Sequence, residues 1–118
     1  MPSRSARNHN PGNLRDAKWT RGRPGYQDRD AQGFAVFDTW WAGLKAMGDL
    51  LQLPAYQRED VRGLIYRYAP PAENDSAAYV TRVCLRSGCR PEDPVAKMSP
   101  VQFLALLEAM IAHEGWKA

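Results

Sequence analysis

From residue 39 onward, apolar side chains recur at helical spacing in four segments, and this pattern constrains the fold more than any other feature of the chain. Trp40, Leu44, Met47, Leu50 and Leu51 share one face behind Thr39, an N-cap residue, and the segment runs to Leu53-Pro54. Val61, Leu64, Ile65 and Tyr68 form a second stripe, halted by Pro70-Pro71. Ala78, Tyr79, Val83 and Cys84 form a third. It starts at Asp75 or Ser76 and closes at Gly88, a residue suited to a left-handed helix end. Ser99 and Pro100 open a fourth, with Phe103, Leu106, Leu107, Met110 and Ile111 on its apolar face and His113-Glu114-Gly115 at its end. The spacing predicts helices over 39–53, 58–68, 75–87 and 99–114.

Residues 1–38 have a different texture, rich in Gly, Pro, Arg, Asn and Asp, and read as loops with one hairpin. Gly33–Asp38 is the best strand; its partner lies near 25–28, with a turn around 29–32. The expectation is a mostly helical α+β fold with about four helices and a small β-hairpin. It forms a single domain over 1–118, with 1–38 as its loop and hairpin region and 39–118 as its helical region.

Composition removes several function classes. A hydrophobic share of 44% in 118 residues is enough for a core and argues against a disordered chain. No apolar run reaches the roughly 20 residues of a membrane helix. The opening MPSRSARNHN has no apolar stretch, so no signal peptide is expected and export would need another route. Residues 1–30 hold seven of the 16 basic residues against three Asp. That arm suits a polyanion, whether nucleic acid or an anionic wall polymer, or is simply a solvated basic terminus. Cys84 and Cys89 are too few for a metal site, and free thiols are expected, with Cys84 in the core. There is no Gly-rich phosphate loop, no zinc spacing and no Ser or Cys in a nucleophile context, so neither metal nor cofactor is expected.

Carboxylates remain, and they suffice for glycosidic bond cleavage. Glu114 ends a strongly apolar helix, where the dipole opposes a negative charge and neighbours such as Met110, Ile111 and Trp116 desolvate it. Both effects favour the protonated form that a general acid needs; the alternative is an exposed terminal Glu. Glu73 sits in the stiff loop Ala69–Asp75, before a helix start where Asp75 or Ser76 is the cap. Asp38 reads as a helix-start residue. Trp40 and Trp41 are adjacent, so a helix points them about 100° apart and cannot bury both equally. Exposed aromatics beside carboxylates suit the apolar faces of sugar rings.

Four blocks in order carry a resemblance. They are Arg7-Asn8-His9-Asn10-Pro11-Gly12-Asn13-Leu14-Arg15, then Phe34–Thr39 with Ala42-Gly43, then Tyr68–Val80, and finally Ile111–Gly115. Together they resemble phage- and prophage-encoded proteins of the structural protein P5-like, virion-associated lysozyme-like type. The same blocks are similar to pieces of the lysozyme superfamily in a shifted order, with the helix ending in the catalytic Glu placed last, as in a circular permutation. The closing motif here lacks the Asn that follows Glu in many relatives.

The resemblance implies a muramidase or lytic transglycosylase acting on the β-1,4 bond between N-acetylmuramic acid and N-acetylglucosamine. Glu114 would protonate the leaving oxygen. Glu73 and Tyr79 would stabilise the oxocarbenium-like state or position the sugar, and Asn10, Asn13 and Trp116 would line the groove. The implied partners are peptidoglycan, a virion or secretion-apparatus protein and an immunity protein; nucleic acid is not favoured. The implied place of action is the periplasm or cell wall after delivery from the cytoplasm, or the virion itself. The alternative is a non-catalytic phage module of the same fold that binds glycan or a virion protein. The permutation further requires Asn13 to lie beside Glu114.

Overall fold

The structure, a computed structural model, describes residues 2–116. Among them are seven helices and one antiparallel hairpin, an α+β fold. In chain order these are α1 (Arg4–Arg7), α2 (Lys18–Arg21), β1 (Tyr26–Arg29), β2 (Ala35–Phe37), α3 (Trp40–Leu51), α4 (Pro54–Gln57), α5 (Val61–Tyr68), α6 (Ser76–Ser87) and α7 (Pro100–His113). A 3-10 turn at Val95–Lys97 precedes α7. The chain divides into two compact units: residues 2–49 with 114–116, and Leu50–His113. The division does not follow the change of texture at residue 38.

In the first unit the hairpin pairs Tyr26 with Phe37, Asp28 with Val36 and Arg29 with Ala35, with a bulge between Tyr26 and Asp28. Ala35 and Phe37 are buried and Val36 is half-buried, the alternation a strand imposes. The Asp30 carboxylate closes the turn, accepting from the backbone N–H of Gln32 and of Phe34, each at 2.9 Å. The strand therefore continues through Arg29, slightly beyond the expected partner. Leu14, Phe34, Ala46 and Met47 are buried with it. The N-terminal third also holds two one-turn helices in place of pure loop. Ser3 caps α1, its hydroxyl accepting from Ala6 N–H at 3.3 Å, and Ser5 is buried.

In the second unit the start signals act as their chemistry demands. Asp75 accepts from Ala78 N–H at 3.1 Å. Ser99 accepts from Gln102 N–H at 3.2 Å while Gln102 Oε1 accepts from Ser99 N–H at 2.8 Å, a reciprocal capping pair. Gly88 ends α6 at φ 79°, in the left-handed region. Leu64, Ile65, Val83, Leu106 and Met110 are buried, and α6 packs on α7. The helix expected from residue 58 begins at Val61 instead, because Asp60 caps it through Gly63 N–H at 2.7 Å. Pro54 starts a separate turn, α4, braced by Gln57 Nε2 donating to Leu51 O at 3.0 Å. Cys84 and Cys89 are free thiols. Cys84 is half-buried rather than in the core, and burial still pushes its thiol pKa up.

Candidate functional site

The Asn-Pro-Gly-Asn segment is fixed by its own polar side chains. Asn10 is fully buried. Its Nδ2 donates to Leu14 O at 3.0 Å and Ala35 O at 2.9 Å, and its Oδ1 accepts from Leu14 N–H at 2.9 Å. A residue expected to line a sugar groove thus spends its amide inside the unit, tying the loop to β2. Asn8 Nδ2 donates to Asp30 Oδ2 at 2.9 Å, and Phe37 N–H donates to Asn8 O at 2.9 Å. His9 Nδ1 lies 3.1 Å from Phe37 O. A carbonyl only accepts, so Nδ1 carries the proton. His9 and Asn13 both have positive φ, 48° and 50°, the sharp path that turns Asn13 outward. Gly43 of α3 leaves room for this path, since a Cβ there would stand 2.0 Å from His9 O.

Asn13 then bridges two charged groups. Its Oδ1 accepts from Arg4 Nε at 3.3 Å, which fixes the orientation of the amide. Its Nδ2 donates to Glu114 Oε1 and to Glu114 O, each at 3.0 Å. The expected meeting of Asn13 and Glu114 is present across 101 positions of sequence. Arg4 is itself held over the Phe34 ring, its guanidinium carbon 3.6 Å from the centroid, with Arg15 at 4.4 Å from the same ring. Glu114 is half-buried, and Gly115 follows it at φ 83°. Trp116 packs on Trp40 at 5.4 Å with the rings 64° apart. Trp40 Nε1 is buried with no acceptor among the described residues.

The other expected site residues belong to the second unit. Glu73 is exposed in the loop after Pro70-Pro71, its N–H donating to Pro70 O at 3.0 Å. Tyr79 is buried, with its ring against His113 at 3.8 Å. Burial, then the charge of Arg82, holds the His113 pKa below its ordinary value.

Sequence reasoning did not single out Arg4, which orients Asn13 beside the candidate acid, because nothing in a basic arm marks one Arg among several. It also missed Asp16, whose carboxylate accepts from Arg21 and from the Tyr26 hydroxyl. Those contacts, the Arg21 hydrogen bond foremost, hold its pKa below the usual carboxylate value. Asp16 is saturated and serves the framework. Among the described residues no group of three His, Cys, Asp or Glu could hold a metal ion, and no helix is long and apolar enough to cross a membrane.

No family model matches the chain. Over 121 aligned positions it is 31% identical to Protein P5 of Pseudoalteromonas phage PM2, an alignment covering 96% of this chain and 71% of that protein. Shared identity at that level over nearly the whole chain gives it a phage kinship, and the chain belongs to the family of phage protein P5.

Proposed function

We propose that the chain cleaves the glycan strand of peptidoglycan, as a muramidase or lytic transglycosylase, with Glu114 as general acid. The observation that carries this reading is the Arg4–Asn13–Glu114 chain of hydrogen bonds in the first unit. A general acid must present its proton from a fixed place. Asn13 Nδ2 donates to Oε1 at 3.0 Å and so holds the carboxyl group in one place. Arg4 donates to Asn13 Oδ1 and so sets the orientation of the amide that holds the carboxyl group. The half-buried Trp40 and Trp116 pair beside this end of the chain offers apolar surface for a sugar ring. Asn13 and Trp116 are the substrate contacts in this reading, while Asn10 shapes the loop that carries Asn13. Glu73 and Tyr79 belong to the second unit and take no part in this reading. The basic N-terminal arm suits an anionic wall, and kinship with a phage protein suits delivery as a virion component.

The test is clearing of purified cell walls followed by turbidity, with Glu114→Gln as the variant. Gln keeps the shape and can still accept from Asn13, but it has no proton to transfer. Wild type is expected to clear walls, and Glu114→Gln to lose clearing with an unchanged melting temperature. Equal clearing by both proteins overturns the assignment of Glu114. Wall binding without clearing by wild type leaves the non-catalytic phage module in its place.

A further inference from the structure

We infer that the first unit carries a second sugar-binding site, an open groove of about 230 Å³ with Trp41 in its wall. Arg23, Gly25, Asp38, Trp41, Ala42 and Lys45 line it. Among the described residues of the first unit, Trp41 is the only exposed large hydrophobic side chain, with 70% of its surface in water. Trp40, its neighbour on α3, is half-buried against Trp116, so the two indoles have separate tasks.

The Asp38 carboxylate has no hydrogen-bond or ion-pair partner among the described residues, while the backbone that carries it is anchored to Gly25. Its backbone N–H donates to Gly25 O at 2.8 Å, and its Oδ1 lies so close over Gly25 that a Cβ there would stand 2.6 Å away. Gly25 has φ 84°, and a Cβ would also stand 2.5 Å from Ala42 Cβ. Glycine therefore opens the floor of the groove and seats the carboxylate in it. Lys45 and Asp49, which also line the groove, are paired with each other at 3.0 Å, leaving Asp38 as the open acceptor.

A flat apolar ring and an unpaired carboxylate lining one groove are the chemistry of a pyranose site. The C–H face of the sugar stacks on the indole, and the carboxylate accepts from vicinal hydroxyls. The volume lies below the roughly 300 Å³ at which drug-sized pockets begin, and it fits a single sugar residue of a longer chain. A protein interface would centre on a cluster of anchors, and Trp41 stands alone among charged neighbours. The identity of the sugar, an N-acetylated hexosamine of a wall glycan, rests on the proposed function; the site itself does not involve Glu114.

The experiment titrates Glu114→Gln, which keeps the ligand intact, with the β-1,4 tetramer of N-acetylglucosamine. The readout is the four indole N–H signals in a nitrogen–proton NMR spectrum. The Trp41 signal is expected to shift. Adding Trp41→Ala weakens binding about tenfold, and adding Asp38→Asn weakens it severalfold, with melting temperatures unchanged. A still Trp41 signal, or Trp41→Ala binding as tightly as its parent, overturns the site. If Trp41 shifts while wild type clears no walls, the groove stands and the catalytic reading falls. If walls clear through Glu114 while Trp41 stays silent, the groove falls and the catalysis stands.

Discussion

Replacing either of two glycines in α3 by alanine is expected to have opposite effects, although both lie in the same helix. Alanine is better than glycine in a helix interior by about 1 kcal/mol, which acts equally at Gly43 and Gly48. At Gly48 the added Cβ meets nothing within 4 Å, so the helix term stands alone. Stability should rise by up to about 1 kcal/mol, or roughly 4 °C for a chain of this length. At Gly43 the new Cβ would be 2.0 Å from His9 O and 3.0 Å from both His9 C and Pro11 Cδ. Ordinary contact begins near 3.4 Å, so helix and loop must part by about 1.4 Å. The loop cannot give cheaply, because Asn10 N–H is bound to Ser5 O at 2.8 Å and Phe37 N–H to Asn8 O at 2.9 Å. Overpacking costs about 1–3 kcal/mol. A strained backbone hydrogen bond adds about 1 more. After the helix gain, Gly43→Ala should be about 1–3 kcal/mol less stable, a fall of roughly 4–12 °C in Tm. Thermal melts of the two variants followed by circular dichroism decide it. Equal gains, or equal losses, would refute the close approach of α3 to the loop that carries Asn13.

Arg4→Met keeps the stem over Phe34 but removes the donor to Asn13 Oδ1, so the Asn13 amide is free to turn away from Glu114. Wall clearing should fall about tenfold or more for a loss of about 1 kcal/mol in stability, and Arg4→Lys should not restore it, because Lys lacks the planar fork. His113 is held below its ordinary pKa of 6.5 by burial and by Arg82, so the unfolded chain takes up a proton there more readily than the folded one. The stability it contributes is complete above about pH 6.5 and is lost as pH falls toward the folded value. His113→Phe, which keeps a ring against Tyr79, should flatten the drop in Tm between pH 7 and pH 5; an unchanged drop assigns it to other groups.

The long helices were legible because each carries its own punctuation. Thr39, Asp75, Ser99 with Pro100, and Gly88 all stand where their chemistry places them. The one-turn helices α1, α2 and α4 were not legible, since four residues show no period and depend on neighbours elsewhere in the unit. Asn13 beside Glu114 could be anticipated from motif order alone, since no local rule joins residues so far apart. Asn10 was misplaced for a related reason. A sequence shows a polar side chain, but not the buried carbonyls of Leu14 and Ala35 that the side chain satisfies. Tyr79 is likewise interior, on the apolar face of α6 that its spacing had already marked.

The first unit is completed by residues from both sides of the second, and this sets when it is completed during synthesis. Asn13 leaves the ribosome about 100 residues before Glu114, a delay of roughly 5–20 s at ordinary elongation rates. Closing a loop of that length in a free chain costs roughly 4 kcal/mol of entropy. A folded Leu50–His113 takes most of that free chain out of the loop. Every nascent intermediate therefore lacks the carboxylate that Asn13 holds, and a ribosome that stalls short of residue 114 releases no assembled site.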